Sequence, residues 1–256
     1  MCTLALYFQV FDEFPLVVAA NRDEFFSRPS AAPQVLSESP LVVAGKDLLA
    51  GGTWLGVSEC GLVAGILNRR SAEEFDQRDI RARSRGLLCL DLLKSRDLAQ
   101  ALDRLDHQES ALYRPFNLLV ASECEAYVAF NVEDRISSVR LEKGLYVLSN
   151  GTVFQRQTEK LDRAFALFSR LQDQLRGAKD KPGGWIPALK SVLSDHSPAL
   201  DLNDPKDSIC VHGPLHGTVS SSVIVYSGTK KRFYNYYADI SPCRGDFGPP
   251  LTLETI

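Results

Sequence analysis

MCTLALYFQVFDEFPLVVAANRDEFF, residues 1–26, is two apolar runs around a turn, ending in four polar residues and two phenylalanines. Residues 2–10 and 16–21 are two short apolar runs of strand composition. Phe11, Asp12, Glu13, Phe14 and Pro15 separate them with turn chemistry. The spacing predicts an antiparallel hairpin centred near Glu13. Paired positions then sum to about 26, which puts Cys2 near Glu24 on the returning strand. After the apolar Leu16–Ala20 that strand continues as Asn21, Arg22, Asp23 and Glu24.

A cysteine in second place has a chemical consequence. Initiator methionine is removed when the next side chain is small, so loss of Met1 leaves Cys2 with both a thiol and a free α-amine. The amine titrates near ~8 and the thiol near ~8.5, so the amine can take the thiol proton and one residue supplies nucleophile and base. An arginine at the returning strand end would favour the thiolate, and an aspartate there could hold the amine. The same residues also describe a solvated strand end carrying a surface Arg–Asp pair of little energetic weight. Acyl transfer further needs donors for an oxyanion. Asn68 and Asn150 each follow a strand-like run, although asparagine after a strand is also an ordinary turn residue.

Further along, Arg28 to Pro40 reads as a Pro-rich connection, and Leu41–Ala44 as a short strand. Gly51, Gly52 and Gly56 read as a tight turn and a close strand packing. They lead into a second hairpin, Trp54–Val57 with Leu62–Leu67. Residues 84–106 have helical periodicity, with Ser95 as a candidate N-cap. Strands are expected at Asn117–Ala121, Ala126–Asn131, Ile136–Leu141, Leu145–Leu148, Ser208–His212, Ser220–Tyr226 and Arg232–Ala238. Residues 155–175 predict an amphipathic helix with Leu161, Phe165, Phe168 and Leu171 inward, and Trp185–Leu193 a shorter one. Strands in hairpins with helices grouped between them favour antiparallel sheets over a doubly wound fold. The expected organisation is one domain, 1–256, with a tail from Ser241 to Ile256 on the surface.

Composition narrows the function. The net charge of -3 disfavours nucleic-acid binding, which needs a basic face. No apolar run is long enough for a membrane span, and no secretory leader is evident, so an intracellular, cytoplasmic location is expected. The six cysteines are scattered without a C-x-x-C pair, as reduced thiols would be. No H-E-x-x-H or clustered Cys/His spacing appears, so no metal site is expected. Cys210 and His212, two apart on an expected strand, are weak candidates for haem ligands. Trp54 could wall a ligand pocket.

Seven segments in order, MCTLAL, AANRDEFFSRP, GGTWLG, GILN, LSNG, SICVHGP and GTVSSSVIVY, together resemble the NRDE family, also called the transport and Golgi organization protein 2 family. The resemblance runs from Met1 to about Tyr237. It implies an α+β fold of the N-terminal-nucleophile hydrolase type, a four-layer αββα arrangement of two antiparallel sheets sandwiched between helices. The related cysteine amidases include penicillin V acylase and bile salt hydrolase. By motif, their catalytic set falls on Cys2, Arg22, Asp23, Asn68 and Asn150, with Asn21, Glu24, Arg28, Trp54, Ser149 and Thr218 as pocket or supporting residues. Where relatives read G-T-R-S-S, this chain has Val219 in the arginine slot. The implied activity is hydrolysis of a C–N amide bond of a small molecule, with no cofactor required. The alternative is a non-catalytic protein that binds or traffics haem, acyl-CoA or lipid, since the family is linked to secretory-pathway organisation, lipid metabolism and haem trafficking.

Overall fold

A computed structural model describes residues 2–69, 83–132, 134–151, 158–177, 182–197 and 208–256. The chain divides into two compact units, each with its own antiparallel sheet.

The first unit comprises residues 1–28, 143–149 and 155–252. It is built on β1 (Thr3–Phe8), β2 (Leu16–Phe25), β10 (Gly144–Leu148), β11 (His216–Ser227) and β12 (Arg232–Ala238). With the short β13 (Leu251–Glu254) they form a sheet in the order β10-β1-β2-β11-β12-β13. Strand side chains alternate between faces, so odd-numbered positions share one face of β1 and β2. Ala5, Tyr7, Val17 and Ala19, joined by Val223 and Val225 of β11, meet Ala164, Phe168, Leu171 and Leu175 of α3 (Glu159–Gly177). Leu189 and Val192 of α4 (Ile186–Leu193) complete that core. The Tyr7 hydroxyl donates to the Phe168 carbonyl at 2.6 Å, tying β1 to α3. The expected helix face is corrected here. Leu161 and Phe165 are only half-buried, while the buried stripe is Lys160, Ala164, Phe168, Leu171 and Leu175.

The second unit comprises residues 29–142, 150–154 and 253–256. Its sheet runs in chain order through β3 (Ser30–Glu38), β4 (Leu41–Asp47), β5 (Leu55–Ser58), β6 (Val63–Asn68), β7 (Phe116–Ala121), β8 (Ala126–Val132) and β9 (Arg135–Leu141). Alternate residues Val42, Ala44, Ala64, Ile66, Leu118 and Val120 pack with Leu88, Leu92 and Leu93 of α1 (Arg85–Leu93) and Leu98, Ala101 and Leu105 of α2 (Leu98–Asp106).

The connection expected over Arg28 to Pro40 is instead the edge strand β3. It carries Pro33 where its register to β4 shifts between Ala31 and Gln34. An edge strand tolerates a proline at such an irregularity because no ladder N–H is lost. The expected cap Ser95 is buried inside the α1–α2 connection. Asp97 caps α2, its carboxylate accepting from the Gln100 N–H at 2.7 Å. The glycines behave as read. A Cβ on Gly52 would lie 2.1 Å from the Gly86 carbonyl carbon, and one on Gly56 would lie 2.4 Å from the Ala44 Cβ. Ser208–His212 forms no strand, only an isolated bridge between His212 and Gly217.

Candidate active site around Cys2

The first hairpin brings Cys2 beside the polar end of β2. Thr3 pairs with Asn21 and Leu4 with Ala20, so the register places Cys2 opposite Arg22, two residues short of the expected Glu24. The turn is tighter than its sequence suggests, because the Gln9 N–H already donates to the Pro15 carbonyl at 2.7 Å. The four polar residues are not a solvated end, since β2 runs on to Phe25 and Asn21, Arg22 and Asp23 are all buried.

Cys2 is half-buried and its sulfur lies on the Asp23 backbone. The Asp23 N–H donates to Sγ at 3.4 Å, and the thiol faces the Asp23 carbonyl at 3.6 Å. The sequence suggested a thiol held down by Arg22. In the fold, burial pushes the Cys2 thiol up and the negative charge of Asp23 pushes the same way. Arg22 forms an ion pair with Glu24 at 3.9 Å, and Arg28 reaches the same Glu24 carboxylate at 3.7 Å.

Asp23 and Asn21 lie at odd positions of β2, on its helix-covered face, and their partners show it. Thr218 of β11 donates its hydroxyl to Asp23 Oδ1 at 2.6 Å and accepts from the Val211 N–H at 2.9 Å. Lys160, at the start of α3, sets Nζ 3.8 Å from Asp23 Oδ2, and both side chains are buried. Lys160 is not marked as a site residue by any motif in the sequence. Its signal was a charge in register with Ala164, Phe168, Leu171 and Leu175 on an apolar stripe. Asn21 is structural. Its amide donates to the Leu193 and Ile209 carbonyls at 2.8 and 2.9 Å, and its Oδ1 accepts from Ser221 at 2.6 Å.

Val219, the residue in the arginine slot, is the extra residue of a bulge. Thr218 pairs with Asp23 and Ser220 with Arg22, leaving Val219 between them without a partner position. Bulges re-aim side chains beside active sites.

In the second unit Asn68 ends β6, and the Asn150 amide donates to its backbone carbonyl, so these two asparagines are brought together. Asn150 is buried and Asn68 exposed. Ser149 is buried just after β10. The Trp54 ring lies against Gly45, where a Cβ would come 2.5 Å from its Cζ2, so glycine there is what admits the indole. Cys210 and His212 do meet, and His196 and Cys243 join them, although none of their spacings in sequence marks a metal site.

A family model described as Transport and Golgi organisation 2 matches residues 1–236. The Transport and Golgi organization protein 2 homolog of Homo sapiens is 30% identical over 234 residues, covering 83% of this chain and 82% of that protein. Among solved structures, a mutant conjugated bile acid hydrolase from Clostridium perfringens superposes with a TM-score of 0.58 at 11% identity, covering 100% of this chain and 98% of that one. The Caenorhabditis elegans ortholog of N-acylethanolamine-hydrolyzing acid amidase gives 0.53 at 13% identity, covering 88% and 92%. At such identities the likeness shows the fold, two antiparallel sheets with helices of the N-terminal-nucleophile hydrolase type, and the fold alone.

Proposed function

The chain belongs to the Transport and Golgi organisation 2 family, and from that premise we propose that it is a cysteine N-terminal-nucleophile hydrolase cleaving a C–N amide bond of a small molecule. The observation that carries the reading is the Asp23 backbone wrapped around the Cys2 sulfur.

With Met1 removed, the α-amine of Cys2 takes the thiol proton as sulfur attacks the amide carbonyl. A base so close matters because burial pushes the thiol up and disfavours the thiolate. The Asp23 N–H then faces the sulfur as its negative charge develops. The Asp23 carboxylate, oriented by Thr218 and Lys160, favours the ammonium that forms. Collapse of the tetrahedral intermediate breaks the C–N bond, and the leaving amine takes its proton from the α-ammonium. Water, deprotonated by the α-amine, attacks the thioester and releases the carboxylic acid and Cys2.

The test is intact mass before and after a thiol-reactive probe, followed by a panel of N-acyl amides against the wild type and Cys2→Ala. Expected are loss of one methionine, selective labelling of Cys2 and hydrolysis that Cys2→Ala abolishes without loss of fold. Retained Met1, or wild-type rates in a folded Cys2→Ala protein, would refute the reading.

A further inference from the structure

Two of the four histidines and two of the six cysteines of this chain converge on one place. His196, just after α4, Cys210 and His212 before β11, and Cys243 in the C-terminal segment bring their ligand atoms within 4.8 Å of one another. We propose that these four residues form a closed structural site for a single thiophilic divalent ion of the zinc class, a feature independent of the hydrolase reading.

The spacings match the ion. A tetrahedral Zn²⁺ with Zn–S of about 2.3 Å and Zn–N of about 2.0–2.1 Å sets two sulfurs about 3.8 Å apart, and sulfur and nitrogen about 3.6 Å apart. Here Cys210 Sγ lies 3.7 Å from Cys243 Sγ, and His212 Nε2 lies 3.7 Å from Cys210 Sγ and 3.1 Å from Cys243 Sγ. The rings of His196 and His212 have centroids 4.9 Å apart. Two sulfurs and two imidazoles in a compact set select zinc-like ions over magnesium or calcium, which take oxygen ligands. Four protein ligands leave no open position, which marks a structural site.

The surroundings hold the ligands in place. His196 Nδ1 lies 3.2 Å from the Cys210 carbonyl, and in the tautomer that donates this bond Nε2 carries the free lone pair. The Ser208 hydroxyl donates to the His196 carbonyl at 2.8 Å, and the Cys210 N–H to the Asp195 carbonyl at 2.9 Å, so the two segments are already joined. Arg163 of α3 pins Asp195 through two bonds of 2.9 and 2.8 Å. Cys243 faces the Ser241 hydroxyl at 3.7 Å. The site flanks Val211, whose N–H supports Thr218 and through it Asp23. An ion there would anchor a loop that has no ladder of its own to the frame of the candidate active site.

The full chain is purified under reducing conditions and its metal content measured; stripped protein is then titrated with Co²⁺ alone. Expected are one Zn²⁺ per chain, and a Co²⁺ spectrum with thiolate charge transfer and the intense visible bands of tetrahedral coordination. Cys243→Ser, at an exposed position, should weaken Co²⁺ binding by more than the roughly 10–100-fold of an outer-shell substitution while the protein still melts cooperatively. Cys124→Ser, also exposed and outside the cluster, should leave binding unchanged. The proposal is overturned if reduced wild type binds neither ion, if the Co²⁺ spectrum lacks thiolate charge transfer, or if Cys243→Ser binds as wild type does. It is equally overturned if Cys210 and Cys243 are recovered as a disulfide in the reduced preparation, or if the four residues take up haem in place of the bare ion.

Discussion

Asp23 answers three demands at once: its backbone contacts the Cys2 sulfur, one carboxylate oxygen accepts from Thr218, and the other faces Lys160. Lys160 and Asp23 are out of water, so removing one takes a counter-charge away from a buried ion. Lys160→Met should destabilise the protein by about 3–5 kcal/mol in urea unfolding, and adding Asp23→Asn should recover much of that loss. If Lys160→Met were neutral, the pair would not be the ionic contact described. Tyr237 allows a check on pH. Burial pushes its hydroxyl up to about 12. The folded state therefore holds a proton that the unfolded chain releases near ~10, so this contribution is complete below pH ~10 and is lost as pH rises toward 12. Tyr237→Phe should show a shallower loss of stability than wild type over that window, and parallel curves would contradict it. At this scale the sequence showed Cys2 and the Asn-Arg-Asp-Glu run, because both are local. It hid Lys160, whose partner belongs to another element.

At the scale of elements, α2 and the Gly52–Gly86 contact are the sharpest cases. Asp97 satisfies an N–H that α2 cannot satisfy within itself, so Asp97→Ala should cost about 0.5–2 kcal/mol of stability. Ser95→Ala should not remove a cap. Gly52→Ala places a methyl carbon against backbone 2.1 Å away, which neither segment can yield cheaply. Its cost by denaturation should exceed the ~1–3 kcal/mol of ordinary overpacking, and a cost near zero would show that the approach is not needed. The hairpins were legible because period-2 apolar runs separated by turn residues specify neighbours along the chain. The edge strand β3 was not, since Pro33 and the polar residues around it look like a loop until β4 supplies the hydrogen bonds.

For the whole molecule, charge and topology carry the argument. With pI ≈ 5.9 the chain is net negative at neutral pH and loses that charge on mild acidification. Solubility at low salt should pass through a minimum near that pH and recover on either side, as light scattering can show; a minimum far from it would mean that the titrating groups are strongly perturbed. No helix among the described residues is long and apolar enough to cross a membrane. The antiparallel hairpins, the family and the approach of Cys2 to the polar Asn21–Glu24 end of the returning strand are already written in the sequence, because each rests on residues close in the chain or on motif order. The two-residue shift in register at Cys2, the bulge at Val219, the Lys160–Asp23 pair and the meeting of His196, Cys210, His212 and Cys243 arise from packing between distant segments. Thr218 reaches Asp23 across 195 residues and Cys243 reaches His212 across 31. Contacts at such separations leave no period in the sequence, because they are set by how helices and strands pack and not by the chain between them.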